Sequence, residues 1–277
     1  MPYLETASTP RMYYELFGTD NQYPVVLIHP IGGNIDIWND EIDIIRQRGF
    51  RVIAYELRGH NRSDIGKVQA YTMHDLVNDL HTLLNELSIE RCSLVGHSIG
   101  GQISCIYSAA YPERVDNLIV ISSSSEVIPD ADLEKHYTTR EIARTRGIGA
   151  LAEETMKEHE VARNAFKNEK KRETFTRIFS KTSVEGFAAA TVALYSIPKN
   201  TTEILKNCNF RLFGIVGRDD EVFVRLMQQM QREIPRMKLK MVDEGDHWLI
   251  IENHKAFDDA FAEALDSTIS LSGKLSL

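Results

Sequence analysis

The sequence is short of positive charge, short of cysteine, and has no long apolar run. Its 277 residues hold 32 Lys and Arg against 40 Asp and Glu, a formal net charge of −8. No excess of cations is available to build a phosphate-binding surface, so nucleic acid is not an expected partner. No apolar stretch approaches the ~20 residues needed to span a bilayer. The N-terminal Met-Pro-Tyr-Leu-Glu-Thr shows neither a basic n-region nor an apolar h-region. The three cysteines, Cys92, Cys105 and Cys208, are odd in number and match no metal spacing. Cys92 and Cys105 sit in apolar patterns, where cysteine acts as a small core residue, and this suits a reducing compartment. A soluble, cytoplasmic protein with no membrane partner is the expectation. Internal repeats and low-complexity linkers are also missing.

What is present is enough for a normal core, since 43% of residues are hydrophobic and 26% charged. Val25–Ile28, Arg51–Glu56, Cys92–Val95, Leu118–Ile121, Phe210–Val216 and Met237–Val242 read as strands, most of them continuous apolar runs buried on both faces. Helical periodicity fills most of the gaps. Leu76, Leu80, Leu83, Leu84 and Leu87 give one such helix a core face, and Thr72 with Asp75 opens it as a capping box. Repeated strand–helix units predict a mostly parallel sheet covered on both sides. The alternation stops between Glu126 and Thr202, where the pattern is charged and helical. Residues 1–125 and 203–277 are therefore expected to form an α/β core, with 126–202 inserted as a helical cap. A last helix is expected from His247 to Leu265.

The stretch from Cys92 to Tyr111 combines an apolar strand, Gly96-His97-Ser98-Ile99-Gly100, and an apolar-periodic helix. Glycines at 96 and 100 remove Cβ atoms where strand and helix come close, which lifts the Ser98 hydroxyl to the apex of a strained turn. A serine hydroxyl is a weak nucleophile and needs an imidazole to take its proton and a carboxylate to orient that imidazole. His247, just after the last strand, is the expected base. His29, His60 and His97 have structural explanations, and the remaining histidines fall in helix patterns. Asp220 is the expected acid, with Asp219 beside it and Glu126 as alternatives; whichever aspartate does not face the histidine is expected to cap the next helix. Two backbone N–H donors should face the developing oxyanion: that of Ile99 and that of Ile31 in the His29–Gly33 loop, where Pro30 has none to give.

On these residues the chain resembles the α/β-hydrolase superfamily along nearly its whole length. It is most similar to the branch of 3-oxoadipate enol-lactonases, arylesterases and cofactor-free haloperoxidases. The resemblance rests on His29-Pro30-Ile31-Gly32-Gly33, Leu57-Arg58-Gly59-His60, Gly96–Gly101, Tyr111-Pro112-Glu113-Arg114-Val115, Gly217-Arg218-Asp219-Asp220 and Asp246-His247. It implies an eight-stranded sheet with a helical cap, and it supports Ser98 as nucleophile, Asp220 as acid and His247 as base. Two departures stand out. Pro30 replaces the glycine usual after the histidine, and Glu56 and Asn61 replace an aspartate and a glycine around Arg58-Gly59-His60. The expected activity is hydrolysis of small carboxylic esters through an acyl-enzyme, with no metal or organic cofactor. An enol-lactone hydrolase and a non-catalytic ligand receptor on the same fold stay open as alternatives. Phe166, Phe179, Phe187 and Leu194 of the cap, with Trp38 and Trp248, are the expected lining of a greasy substrate pocket. The sequence gives no indication of oligomeric state.

Overall fold

The computed structural model describes residues 3–6, 9–66, 71–127 and 130–268. Eight strands form one sheet: β1 (Tyr3–Leu4), β2 (Met12–Phe17), β3 (Pro24–Ile28), β4 (Arg51–Tyr55), β5 (Cys92–His97), β6 (Val115–Ile121), β7 (Arg211–Gly217) and β8 (Lys238–Val242). Their order is β1-β2-β4-β3-β5-β6-β7-β8. Strands β1 and β2 pair antiparallel with each other, and β2 pairs antiparallel with β4; every other pairing is parallel. The chain leaves β3 toward β4 on one side and returns to β5 on the other. The carboxyl ends of β3 and β5 therefore flank a switch point, the place where open α/β sheets bind ligands.

Alternation along each strand divides the core. Val26, Ile28, Leu94, Leu118 and Val120 face α2 (Met73–Glu86) and α3 (Ile99–Ala110). Val25, Leu27, Val95, Ile119 and Ile215 pack with Ile42 and Ile45 of α1 (Asn39–Gln47) and with Phe257 and Phe261. Both faces are covered, which is why these strands read as unbroken apolar runs. The capping box of α2 is present: the Asp75 N–H donates to Thr72 Oγ1 at 3.3 Å, and the Thr72 N–H donates to Asp75 Oδ2 at 2.7 Å.

Between β6 and β7 the chain is helical: α4 (Asp130–Thr155), α5 (Glu160–Ala165), α6 (Glu169–Phe179), α7 (Val184–Ala193) and α8 (Thr201–Lys206). Helix α9 (Glu221–Glu233) then links β7 to β8. The expected final helix from His247 is instead two helices, α10 (Leu249–Glu252) and α11 (His254–Thr268), and His247 lies in the turn before them. Asn253 causes the break. It adopts φ −134° and ψ 60°, and its side chain donates to the Asp243 carbonyl at 2.8 Å. Among the described residues, no helix is long and apolar enough to cross a membrane.

The loop after β4 fastens the cap to the core. Gly59, at φ +72°, lies against Gly186 of α7 so closely that a Cβ on Gly186 would meet the Gly59 oxygen at 2.2 Å. The Gly59 carbonyl accepts from the backbone and hydroxyl of Ser183, and the Tyr71 hydroxyl reaches the Gly186 carbonyl at 3.1 Å. The departures in this loop compensate each other. Asn61 takes the left-handed conformation of the missing glycine, at φ 46°. Its side chain donates to the buried Glu56 carboxylate at 2.7 Å, which also receives the Arg62 N–H at 2.8 Å. Gly186→Ala should therefore destabilise the fold by ~2 kcal/mol or more through overpacking. Gly149→Ala, at an α4 position with open space, should be neutral or stabilising by up to ~1 kcal/mol. Urea denaturation of the two variants checks the contrast, and equal midpoints would refute the close contact.

Candidate active site

Ser98 joins β5 to α3 with φ 55° and ψ −121°, a region L-residues rarely occupy. The glycines around it are required by clearance. A Cβ at Gly96 would meet the Gly100 oxygen at 2.2 Å, and one at Gly100 would meet the Ile28 oxygen at 2.2 Å. Hydrogen bonds hold the turn. The Ser98 N–H donates to the Ile121 carbonyl at 2.9 Å, and the Ser98 carbonyl accepts from Ser123 Oγ at 2.6 Å and from the Gly101 and Gln102 N–H groups at 2.9 and 3.1 Å.

Two further turns bring partners to the Ser98 hydroxyl. The turns after β7 and β8 are zipped together: the Arg218 N–H donates to the Val242 carbonyl at 2.8 Å, and the Asp219 N–H to the Gly245 carbonyl at 3.0 Å. Gly217 permits this, since a Cβ there would meet the Gly245 oxygen at 2.3 Å. The zip sets His247 between Asp220 and Ser98. His247 Nδ1 donates to Asp220 Oδ2 at 2.8 Å, and Nε2 lies 3.0 Å from Ser98 Oγ. With the Nδ1 proton committed to the carboxylate, Nε2 presents a lone pair that can accept the hydrogen bond of the serine hydroxyl. His97 points away from the hydroxyl, and its Nε2–H donates to the His247 carbonyl at 2.8 Å. The Phe223 ring stacks on His247 at 4.9 Å.

The division of labour expected between the aspartates is not what is found. Asp220 both meets His247 and caps α9, its Oδ1 accepting from the Phe223 N–H at 3.4 Å. Its two oxygens point to different donors, so one residue serves both ends, and Asp219 is exposed. Glu126 is engaged elsewhere: its Oε1 accepts from the Thr202 N–H at 3.0 Å.

The His29–Gly33 loop is held by two buried histidines acting as neutral acceptors. His29 Nδ1–H donates to the Pro30 carbonyl, and Nε2 accepts from the Leu57 N–H at 2.9 Å. His60 Nδ1–H donates to the Arg58 carbonyl, and Nε2 accepts from the Gly32 N–H at 3.2 Å. Burial lowers the pKa of His60 to about 4 and that of His29 well below the usual imidazole range. The Gly33 N–H is taken by the Pro30 carbonyl at 2.9 Å. Among the described residues, the N–H groups of Ile31 and Ile99 meet no acceptor.

Ser98, His247 and Asp220 open on a cavity of about 300 Å³. Of the residues named for the pocket, Phe179, Phe187, Leu194 and Trp248 border it, and so does Ile31. Trp38 and Phe166 do not. Trp38 is fully buried in the layer between the sheet, α1 and α11. Phe166 lies one row behind the cavity, against Phe175 at 5.0 Å, which in turn stacks on Phe179. The sequence reading also missed a polar part of the wall: Gln102, Glu158, His159, Asp246 and Glu252. His159, from the helical insertion, approaches Asp246 of the core at 3.8 Å. No periodicity marks Glu158 and His159 as lining, because the fold of the insertion brings them to Asp246 and Glu252 of the core. No Lys or Arg is found among the described lining residues.

Comparison with known proteins agrees with this fold. The family profile described as alpha/beta hydrolase fold matches residues 23–254. The chain belongs to the α/β-hydrolase family. Within that family it is 48% identical to a carboxylesterase structure from the ammonia-oxidizing thaumarchaeon Nitrososphaera gargenis, over 96% of this chain and 98% of that one, with a TM-score of 0.92. The α/β-hydrolase fold is shared at lower identity by an enol-lactonase from Burkholderia xenovorans LB400, 21% identical over 96% of this chain and 100% of that one, TM-score 0.83. The RutD protein of Variovorax paradoxus (strain S110) is 30% identical over 129 residues, 47% of this chain and 48% of that protein. The chain spans about half the length, or less, of the curated relatives it matches.

The polar wall of this α/β-hydrolase carries a pH signature. Burial, and then the Asp246 charge, raises the Glu252 pKa from 4.5 to about 8, while the Asp246 N–H donates to Glu252 Oε2 at 2.8 Å. Asp246 is itself raised, by burial and then by Asp220. A carboxyl raised on folding leaves the folded state holding a proton that the unfolded chain has lost. Its stabilising contribution is full below the unfolded value of about 4.3 and is lost as pH rises through about 8. Glu252→Gln should therefore hold its Tm better than wild type from pH 5 to about 8.5, with the gap widest at the upper end. Parallel Tm curves for the two proteins would contradict the assignment.

Proposed function

We propose that the protein is a serine hydrolase of small, neutral carboxylic esters. The observation that carries the reading is the Ser98–His247–Asp220 hydrogen-bonded array facing a part-apolar cavity whose described lining holds no Lys or Arg. Ser98 Oγ attacks the ester carbonyl while His247 Nε2 takes its proton. Asp220 holds the imidazole in the required tautomer and stabilises the imidazolium without itself taking the proton. The N–H groups of Ile31 and Ile99 receive the developing oxyanion, since those of Gly32 and Gly33 are committed to His60 and to the Pro30 carbonyl. His247 then passes its proton to the departing alcohol, and water releases the acyl group by the reverse sequence. No step calls for a metal or an organic cofactor. In this reading the partner is a small ester and the enzyme is cytoplasmic, consistent with its free cysteines.

The lactonase alternative needs a site for a free carboxylate, and burying one calls for an Arg or Lys. The described lining supplies Glu158, Glu221 and Asp246 instead. Phe179, Phe187, Leu194 and Trp248 suit an uncharged acyl or alcohol group, and about 300 Å³ suits one of short to medium length.

Ser98→Ala and His247→Ala should each lower turnover of p-nitrophenyl esters by ~10⁴ or more with little change in folding. Asp220→Asn should cost far more than Asp219→Asn or Glu126→Gln. Activity from p-nitrophenyl acetate through octanoate should peak at short or intermediate length. A kcat/KM about tenfold higher for a carboxylated enol-lactone than for every neutral ester would favour the lactonase. A receptor on the same fold predicts no fluorophosphonate labelling of the folded protein, whereas the esterase predicts labelling that Ser98→Ala abolishes.

A further inference from the structure

Gln102 stands one helical turn beyond Ser98 on α3 and borders the cavity. It is only 1% exposed, yet neither its Oε1 nor its Nε2 has a hydrogen-bond partner among the described residues. Buried carboxamides are normally paired, because they lose water on burial and must recover the bonds elsewhere. The backbone N–H of Gln102 is committed to the Ser98 carbonyl at 3.1 Å, which fixes the helix and leaves the side chain free. Side chains on a helix lean toward its N-terminus, so this carboxamide reaches back toward Ser98. The adjoining wall offers it nothing obvious. Phe187 and Leu194 are apolar, and the Thr191 hydroxyl donates to the Phe187 carbonyl at 2.9 Å.

We propose that Gln102 is a specificity residue that recognises a hydroxyl group on the acyl chain, close to the scissile carbonyl. The inference rests on the esterase reading and narrows its substrate class from neutral esters to hydroxyacyl esters. A hydroxyl matches the carboxamide completely, donating to Oε1 and accepting from Nε2. A carboxylate does not, because it would leave Oε1 facing another acceptor in a cavity that already holds Glu158 and Asp246. The acyl side is implicated because the alcohol must depart at His247 Nε2, beneath the stacked Phe223 and beside Trp248. The α3 wall is left to the acyl group. An unsubstituted chain that covers Gln102 would seal donor and acceptor away from any partner, and this is the kind of site that discriminates strongly against an analogue lacking the polar group.

The test compares p-nitrophenyl butanoate with the 2-hydroxy and 3-hydroxybutanoate esters, each kcat/KM corrected for the ester's rate of hydroxide hydrolysis. Wild-type enzyme should favour one hydroxylated ester by about tenfold or more. Gln102→Met, similar in length and without the amide, should bring the ratio to within about twofold, with Tm checked in parallel. A wild-type ratio near one, as expected if Gln102 merely holds a water molecule, overturns the inference and leaves the esterase reading standing. A tenfold ratio that survives in Gln102→Met also overturns it. If that variant does not fold, the wild-type ratio and Gln102→Asn, whose shorter arm should lose the preference, decide the matter. Failure of wild-type protein to hydrolyse any of the three esters removes the esterase reading itself, and the inference with it.

Discussion

The close approach of β5 and α3, with Ser98 held at positive φ between them, is the constraint on which the site depends. A non-glycine residue in such a conformation costs on the order of 1–3 kcal/mol. Four hydrogen bonds to the Ser98 backbone, reaching β6, the strand-end serine Ser123 and the first turn of α3, offset that cost. The same turn leaves the Ile99 N–H at the start of a helix, where no intrahelical acceptor exists and the dipole favours negative charge. Hydroxyl exposure and a free N–H donor are thus two results of one backbone geometry. A side chain at Gly96 would push α3 away from β5, and one at Gly100 would push it away from β3 and separate Ile99 from the loop that carries Ile31.

The other groups are placed by backbone bonds between neighbouring turns more than by side-chain packing. Asp220 and His247 meet because the turns after β7 and β8 share hydrogen bonds and Gly217 lets them touch. The His247 carbonyl is held by His97, so the residue before the proposed nucleophile positions the backbone of the proposed base. Buried His29 and His60 work similarly for the loop after β3. An imidazole that accepts from one backbone N–H and donates to one carbonyl satisfies both without bringing charge into the interior. Pro30 leaves this arrangement intact, because the bonds use its carbonyl and not its nitrogen.

Much of this was legible because it is local. The Gly-x-Ser-x-Gly spacing, the apolar run before it and the helix after it are contiguous, and the sterics that demand glycine act within five residues. The Asp219-Asp220 pair could be placed at the end of β7 from the strand alone; that Asp220 would also cap α9 required knowing where each carboxylate oxygen points. The α10–α11 break was hidden because Asn253 leaves the helix to reach Asp243, a contact that periodicity does not register. The cavity wall was the least legible part. Phe179 and Phe166 are chemically alike, and only the packing of α5 and α6 against α10 puts one at the cavity and the other behind Phe175. His159 falls in a helix pattern and is exposed, and it still reaches the rim because its place at the start of α5 brings it to Asp246.

The mixed character of that wall bears on the whole reaction cycle. A neutral ester can enter beside Glu158, Asp246 and Glu252 at little electrostatic cost, since burial keeps Glu252 protonated near neutral pH. Hydrolysis changes the ligand's charge. Deacylation produces a carboxylic acid, which ionises near neutral pH and then shares a low-dielectric cavity with Asp220 and Asp246. Like charges at such separations repel by an amount that bulk water would screen and a partly closed cavity does not. The wall that disfavours a carboxylate substrate therefore also disfavours the carboxylate product, in the proposed esterase. A cation there would have recruited acidic substrates and retained every product. Its absence from the described lining ties the proposed preference for neutral esters to the clearing of the site after each turnover.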